Sequence, residues 1–153
     1  MFSDPNFLIT GRADRIERRT DGTLAILDYK TGSPPRQKDV EAGFAPQLPL
    51  EGAMAACGAF GPELAGEAAE LAFWKLSGGK TPGAATVLKR GDPAETRALI
   101  ETARAGLLAL IERYDDPAQP YLSQPHPGHT PRYTDYAQLA RVAEWDLSGD
   151  EEE

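Results

Sequence analysis

Residues 11–32 read GRADRIERRTDGTLAILDYKTG, and this run carries the signals of a β-hairpin. Residues 7–17 and 23–30 are rich in Ile, Leu, Phe and Thr, and an Asp-Gly pair lies between them. Asp-Gly between two such runs is the strongest short-range hairpin signal in a sequence. A chain that folds back about Asp21 places residue i opposite residue 42 − i, so Asp14 is predicted to lie opposite Asp28.

The same register collects two carboxylates and an ammonium group on one face. Because side chains alternate between faces with period 2, Asp28 and Lys30 share a face with Asp14. Directly opposed Cβ atoms lie roughly 5 Å apart, and two negative charges at that distance repel by about 3 kcal/mol at an effective dielectric of about 20. We therefore expect a cation there. Two alternatives stay open: a one-residue bulge that turns one aspartate away, and a surface salt-bridge cluster neutralised by Lys30 and Arg12.

Opposed carboxylates with a lysine beside them suit a hard divalent cation. Mg²⁺ favours oxygen ligands and is often bound through one or two carboxylates together with a substrate phosphate. Such an ion lowers the pKa of a bound water and polarises a phosphoryl oxygen. Lys30, roughly 6.5–7 Å beyond Asp28 along the strand, is placed to orient the attacking water or to offset charge on the phosphate. These parts together predict metal-dependent hydrolysis of phosphodiester bonds.

Three motifs in order resemble the RecB-like branch of the PD-(D/E)XK nuclease superfamily. They are Gly-x-x-Asp-Arg-Ile at 11–16, Asp-Tyr-Lys-Thr-Gly at 28–32 and Gln-Leu-Pro-Leu at 47–50. Residues 8–51, with a tail at 114–145, are similar in particular to the C-terminal nuclease domain of AddB-type subunits. These subunits belong to the AddAB helicase–nucleases of double-strand-break repair.

The resemblance implies a role for each residue of the candidate site. Asp14 and Asp28 would be ligands of Mg²⁺, for which Mn²⁺ can substitute, with help from the backbone carbonyl of Tyr29. Lys30 would support the nucleophilic water. Gln47, on the helix that follows the Asp-Tyr-Lys-Thr-Gly motif, would order the site.

The same resemblance implies a fold, a substrate and a partner. The fold would be an α/β restriction-endonuclease-like core, with a central mixed sheet flanked by helices and without its first helix. The reaction would be exonucleolytic cleavage of single-stranded DNA unwound by an AddA-like helicase–nuclease subunit, in repair and recombination. Such complexes work in the bacterial cytoplasm at the nucleoid, and no membrane is involved.

The chain departs from the family pattern in three places. Only thirteen residues precede Asp14, so the acidic or His ligand that the family takes from an upstream helix has no counterpart. Many relatives have Tyr four residues after the glutamine, where this chain has Glu51. Many AddB relatives carry a four-cysteine iron–sulfur cluster, but Cys57 is the single cysteine, so no cluster is expected. The first two departures motivate the alternative of a truncated, non-catalytic module that serves subunit assembly or guides single-stranded DNA.

Length, composition and charge limit the other function classes. The 153 residues, 41% of them hydrophobic, suit one globular domain, and no apolar run approaches the roughly 18 residues of a membrane helix. Cys57 is predicted to be a small buried hydrophobe.

The net charge of −8 argues against binding nucleic acid by bulk attraction. A local basic set near the hairpin either meets phosphates or keeps the hairpin edge from pairing; it comprises Arg12, Arg15, Arg18, Arg19, Lys30, Arg36 and Lys38.

The pattern along the chain predicts three regions. We expect a nuclease core at 1–116, a Pro-rich extension with a short helix that packs on the core at 117–146, and a disordered acidic tail at 147–153. Within the core, residues 71–76 and 84–89 are predicted strands.

Two helices are predicted in the core. The first follows a loop after Ser33-Pro-Pro and runs from about Leu48 to Phe60. The second begins at Asp92, because Asp-Pro-x-Glu combines an N-cap residue, a first-position proline and a third-position glutamate. Its apolar spacing predicts that it covers the sheet with Ile100, Ala103, Leu107, Leu110 and Tyr114.

Overall fold

The computed structural model of the chain describes residues 7–79, 83–122, 125, 126 and 129. The chain divides into two compact units, one that ends at Glu112 and one that begins at Arg113. The predicted boundary at 116/117 and the acidic tail stay predictions. The short helix expected within 117–146 falls mainly on residues outside the described part of the chain.

A four-stranded mixed sheet forms the centre of the first unit. Its strands are β1 (Arg15–Arg18), β2 (Leu24–Lys30), β3 (Ala68–Lys75) and β4 (Ala84–Val87), in the spatial order β1-β2-β3-β4. β2 pairs antiparallel with β1 and parallel with β3, and β4 is antiparallel to β3. Because a parallel pair needs a crossover, the chain between β2 and β3 carries two helices. This architecture confirms the predicted α/β fold class.

The helices pack small residues and branched side chains against the sheet. They are α1 (Gln37–Glu41), α2 (Gln47–Ala56) and α3 (Pro93–Asp115), with 3₁₀ turns at Pro62–Leu64 and Leu88–Gly91. A Cβ atom added at Gly52 would lie 2.7 Å from Ile100 Cδ1, so a larger residue there would displace the Ile100 side chain of α3. The buried core comprises Leu24, Ile26, Val40, Leu48, Ala53, Ala55, Ala68, Leu71, Phe73, Leu88, Leu99 and Ile100.

The hairpin register is confirmed. Arg15 pairs with Leu27 and Arg18 with Leu24, so paired residue numbers sum to 42 as predicted. Gly22 has φ 85°, and Asp21 Oδ1 accepts hydrogen bonds from the Thr23 N–H and hydroxyl at 2.9 and 2.6 Å. The first strand is shorter than predicted, however, because residues 7–14 lie outside the ladder.

Several element boundaries differ from the sequence prediction. α2 starts at Gln47 and ends at Ala56 instead of Phe60, and α1 was not predicted. Cys57 is exposed, contrary to prediction, because it lies in the turn just after α2. β3 begins earlier than expected, at Ala68, and β4 ends at Val87, since the next turn has Lys89 and Arg90 at φ 51° and 53°.

The start of α3 is confirmed, whereas its predicted packing is confirmed only in part. Asp92 Oδ1 accepts hydrogen bonds from the N–H groups of Ala94 and Glu95 at 2.8 and 3.0 Å. The fully buried positions cluster near this end, at Thr96, Leu99 and Ile100, and Leu110 is half exposed. A helix of 23 residues is about 35 Å long, so its far end extends beyond the reach of a β-strand of eight residues.

Among the helices of the described residues, none combines the length and apolar character that crossing a bilayer requires.

Arg18 ties the hairpin turn to the chain that follows α2. Its guanidinium donates hydrogen bonds to the carbonyls of Gly22, Glu63 and Ala65 at 2.8, 2.7 and 3.0 Å. This basic residue therefore has a structural use that the sequence did not indicate.

We expect Arg18→Ala to lower the free energy of unfolding by about 1–2 kcal/mol, because a planar fork of donors loses its carbonyl partners. Urea denaturation followed by circular dichroism measures the change. Arg18→Lys should recover only part of the loss, since one ammonium cannot span the same acceptors. Arg97→Ala, which removes an exposed pair with Glu67, is the matched control and should cost less. Equal losses for the Arg18→Ala and Arg97→Ala variants would contradict the assignment.

Candidate active site

Three of the predicted site residues meet where β2 ends and α2 begins. Asp28 and Lys30 lie two residues apart near the end of β2, and Gln47 is the first residue of α2. Asp28 is 2% exposed, whereas the side chain of Lys30 is 30% exposed. The buried carboxylate and the accessible ammonium group therefore lie at the border between core and solvent.

These three side chains form a closed polar triangle. Lys30 Nζ lies 2.8 Å from Asp28 Oδ2, and Gln47 Nε2 donates a hydrogen bond to Asp28 Oδ1 at 2.8 Å. Lys30 Nζ also donates to Gln47 Oε1 at 3.4 Å. The sequence predicted that these residues belong together, and the structure brings them into contact.

Asp14 contacts the same strand at the adjacent residue. Its Oδ2 accepts a hydrogen bond from the Tyr29 N–H at 2.9 Å. The side-chain oxygen thus takes a donor that a main-chain carbonyl would take if the ladder continued, and the ladder ends with the pair Arg15–Leu27. Asp14 therefore lies beside the segment of β2 that carries Asp28 and Tyr29. The roles of Asp14 and Asp28 as metal ligands, with the Tyr29 carbonyl, stay predictions.

The side chain of Tyr29 has partners of its own. Its ring packs edge-on against Trp74 with centroids 6.0 Å apart, and its hydroxyl accepts a hydrogen bond from Arg15 at 3.4 Å. Because neighbouring side chains on a strand point to opposite faces, this cluster lies on the other side of β2 from Asp28 and Lys30. Only the backbone of Tyr29 is available to the candidate site.

Glu51 belongs to the site, although the sequence analysis treated it only as a departure from the family. It lies one turn after Gln47 on α2, and its Oε1 accepts a hydrogen bond from Gln47 Nε2 at 3.2 Å. Glu51 is 4% exposed. The signal was present in the i, i+4 spacing from Gln47, which places both side chains on one helix face.

Burial raises the pKa of Glu51 above the usual range of a glutamate. The negative charges of Asp28 and Asp14 act in the same direction, while the Gln47 hydrogen bond and the Lys30 charge oppose them. Without a further cation, the site therefore disfavours a charged Glu51.

Two buried carboxylate oxygens at the site lack a neutral hydrogen-bond donor. Among the described residues, Glu51 Oε2 accepts no hydrogen bond, and the partner of Asp28 Oδ2 is the Lys30 ammonium group, 2.8 Å away. Buried acceptors are normally satisfied. A buried carboxylate that already attracts a cation, beside a second carboxylate oxygen without a donor, fits a divalent ion, so the residues present suit the implied metal.

The geometry also limits how a cation could be held. Within the described residues, no three His, Cys, Asp or Glu side chains form a group that could hold one metal ion together. A cation bound through two carboxylates, a main-chain carbonyl and waters agrees with the ligand preference of Mg²⁺.

We expect metal-free Glu51→Gln to be more stable than the parent protein at neutral pH. A raised pKa means that the folded state binds the proton more tightly than the unfolded state. The stability that proton binding to Glu51 gives the folded state is thus complete below the ordinary glutamate pKa. It is lost as the pH rises through the raised pKa. Unfolding in EDTA at several pH values measures the difference, which should narrow as the pH falls. Glu63→Gln, at an exposed position, is the control. A Glu51→Gln variant less stable than the parent at neutral pH would refute the expectation.

Most of the basic residues near the hairpin contact protein groups. Arg15 pairs with Glu17, Arg19 with Glu70 at 3.3 Å and Arg36 with Asp39 at 2.9 Å. Arg18 and Lys30 have the partners described above. The basic set is thus largely neutralised within the fold, which favours a structural use for it over a strong phosphate-binding patch.

Sequence comparisons place this geometry in a known family. A family model of the PD-(D/E)XK nuclease superfamily matches residues 2–128. Uncharacterized proteins of Rickettsia bellii (strain RML369-C) and Rickettsia conorii (strain ATCC VR-613 / Malish 7) are 49% identical over 49 residues and 50% identical over 46 residues. The matches cover 32% and 30% of this chain, and 6% of each relative.

No solved structure gives a significant match. The family model, however, covers most of the 153 residues, including the mixed sheet and the Asp28–Lys30–Gln47 triangle. The chain belongs to the PD-(D/E)XK nuclease superfamily.

Proposed function

We propose that this chain is the metal-dependent nuclease domain of an AddAB-type helicase–nuclease and that it hydrolyses phosphodiester bonds of single-stranded DNA. The observation that carries the proposal is the polar triangle of Asp28, Lys30 and Gln47 at the end of β2. Membership of the nuclease superfamily supports it. The repair and recombination role rests on the motif resemblance to AddB-type subunits.

Asp14, Asp28 and the backbone carbonyl of Tyr29 would hold Mg²⁺, or Mn²⁺ in its place. When bound, a divalent cation supplies an activated water and charge stabilisation at the phosphate. The buried carboxylate of Asp28, whose Oδ2 already attracts the Lys30 ammonium group at 2.8 Å, supports the role of Asp28 as a ligand. Asp14, held beside β2 by the Tyr29 N–H, would supply the second carboxylate.

Lys30 acts on the water and on the phosphate. Its ammonium group contacts Asp28 and Gln47 and lies 5.9 Å from the centroid of the Phe73 ring, so packing restricts its position. A positioned cation at this border orients the attacking water and offsets the negative charge that develops on the phosphate. Gln47 fixes the position of the Asp28 carboxylate relative to the Lys30 ammonium group, because it forms hydrogen bonds with both.

The acidic net charge of the chain is consistent with a partner that delivers the DNA strand. The net charge is −8, and several basic residues near the hairpin are engaged by protein groups. A nuclease that receives DNA from an AddA-like motor needs little DNA affinity of its own. The related segments occur within far longer relatives, which also supports a domain that works as part of a larger assembly. We place that assembly in the bacterial cytoplasm, at the nucleoid.

Cleavage of end-labelled single-stranded DNA in Mg²⁺, Mn²⁺ and EDTA tests the function. We expect products with either metal and none in EDTA. A covalently closed single-stranded circle should resist an exonuclease, so degradation of the circle would contradict the exonuclease assignment. Absence of cleavage both by the chain and by its complex with the helicase partner would favour the non-catalytic alternative.

A further inference from the structure

The Gln47 amide forms hydrogen bonds with three charged side chains. Its NH₂ group donates to Asp28 Oδ1 at 2.8 Å and to Glu51 Oε1 at 3.2 Å, and its oxygen accepts from Lys30 Nζ at 3.4 Å. An amide NH₂ has two hydrogens, so each carboxylate receives one. The reversed amide would point its oxygen at two carboxylates and its NH₂ at an ammonium group, so this orientation is strongly specified.

Glu51 has no evident purpose in the core other than this contact. It is 4% exposed, and the residues that follow it on α2, from Gly52 to Ala55, are buried. A buried carboxylate is costly unless it is paired, and Glu51 Oε2 receives no hydrogen bond among the described residues. An apolar side chain of similar volume would meet the packing requirement without that cost. The carboxylate is therefore better explained by the site than by the fold.

We propose that Glu51 is a positioning residue of the metal centre, acting through Gln47. By accepting the second hydrogen of the amide, Glu51 holds Gln47 so that the amide occupies Asp28 Oδ1. The cation is then left Asp28 Oδ2, the oxygen that Lys30 Nζ contacts at 2.8 Å. The inference rests on the proposed function, since it concerns the same centre. It assigns Glu51 no direct bond to the ion, in agreement with the absence of a three-residue metal group among the described residues.

Mn²⁺ binding measured by calorimetry on the full chain tests the inference. Glu51→Met removes the acceptor at similar volume and should weaken Mn²⁺ binding about 10-fold, the lower end of the range for groups that orient metal ligands. Glu51→Gln keeps an acceptor oxygen and should bind Mn²⁺ with nearly the parent affinity. In a Gln47→Leu background, Glu51→Met should have no further effect, because the two residues act as one unit.

Three results would overturn the inference. They are parent-like binding by Glu51→Met, Glu51→Gln as weak as Glu51→Met, and additive effects in the double variant. The second would point to the charge of Glu51 or to direct ligation. In each of these cases the parent chain binds Mn²⁺, so only the inference about Glu51 fails. No Mn²⁺ binding by the parent chain would overturn the proposed function itself, so the two failures are distinguishable.

Hydrogen exchange of the Gln47 side chain gives a second test. It needs no metal, and its result for the parent chain does not depend on whether a variant folds. The side-chain NH₂ signals of Gln47 can be identified by nuclear magnetic resonance from their loss in Gln47→Leu. We expect both hydrogens to exchange slowly in the parent chain and in Glu51→Gln, and one to exchange rapidly in Glu51→Met. Rapid exchange of both in the parent chain would overturn the inference by itself.

Discussion

Replacing Asp28 with asparagine is expected to abolish divalent-cation binding and cleavage. The variant keeps the shape of the side chain and an acceptor for Gln47, but it removes the charge of a carboxylate that is 2% exposed. Asp28 Oδ2 is the oxygen best placed for a hard cation, since it is buried and its partner among the described residues is the Lys30 ammonium group and not a neutral donor. We expect Mn²⁺ affinity to fall at least 100-fold, beyond the effect of losing a group that only orients a ligand.

Calorimetry with Mn²⁺ and the DNA cleavage assay measure both effects. Asp115→Asn makes the same chemical change at an exposed position on α3 and should leave both unchanged. Circular dichroism shows whether the Asp28→Asn variant folds. A folded Asp28→Asn variant that binds Mn²⁺ like the parent would show that Asp28 is not a ligand.

Replacing Lys30 with alanine is expected to abolish cleavage while Mn²⁺ binding persists. The ammonium group lies 2.8 Å from Asp28 Oδ2, so its removal takes a competing positive charge away from the oxygen that would hold the cation. Mn²⁺ affinity should therefore stay equal or rise. The rate at saturating DNA should fall by about 10²–10³-fold, the usual loss when a donor that stabilises transition-state charge is removed.

The stability of the Lys30→Ala variant should depend on the metal. Without Lys30, the buried carboxylate of Asp28 lacks its cation, and breaking such a pair is destabilising. Melting in EDTA should thus occur at a lower temperature than for the parent, and Mn²⁺ should restore most of the difference. Lys38→Ala, at an exposed position on α1, is the control and should retain the saturated rate. Cleavage by purified Lys30→Ala at the parent rate would rule out the proposed role.

The two variants together separate a nuclease from a non-catalytic module. A nuclease predicts opposite behaviour toward the metal, with binding lost in Asp28→Asn and kept in Lys30→Ala, while both lose cleavage. A module that only assembles with a helicase or guides DNA predicts no effect of the metal on either variant. Stability in Mn²⁺ therefore distinguishes the two candidates even before DNA is added.

Local chemistry made the hairpin and part of the site predictable. Asp21 and Gly22 specify a tight turn, and the turn sets the register for every later pair, because strand residues alternate strictly between faces. The positions of Asp14, Asp28 and Lys30 follow from that register alone. The cap of α3 was equally predictable, since Asp92 bonds N–H groups two and three residues away in the chain.

The errors occurred where a distant part of the chain decides the outcome. Strand β1 begins later than predicted because a side chain, that of Asp14, takes the Tyr29 N–H. Cys57 is exposed because α2 ends one residue before it, and Leu110 is half exposed because α3 extends beyond the part of the core that it covers. The end of α2 did have a local signal that the prediction missed, since Gly58 follows the helix with φ 74°. The other two outcomes have none.

The sequence by itself determined the hairpin, the α/β class and the identity of the charged residues on one face of β2, because each depends on periodicity and turn chemistry over short distances. The tertiary structure decided that Gln47 joins Asp28 to Lys30 and that Glu51 is buried beside them. Those contacts depend on how α2 docks against the sheet, a matter of long-range packing. Glu51, which the sequence showed only as a departure from the family pattern, is therefore identified as part of the site by the docked position of α2.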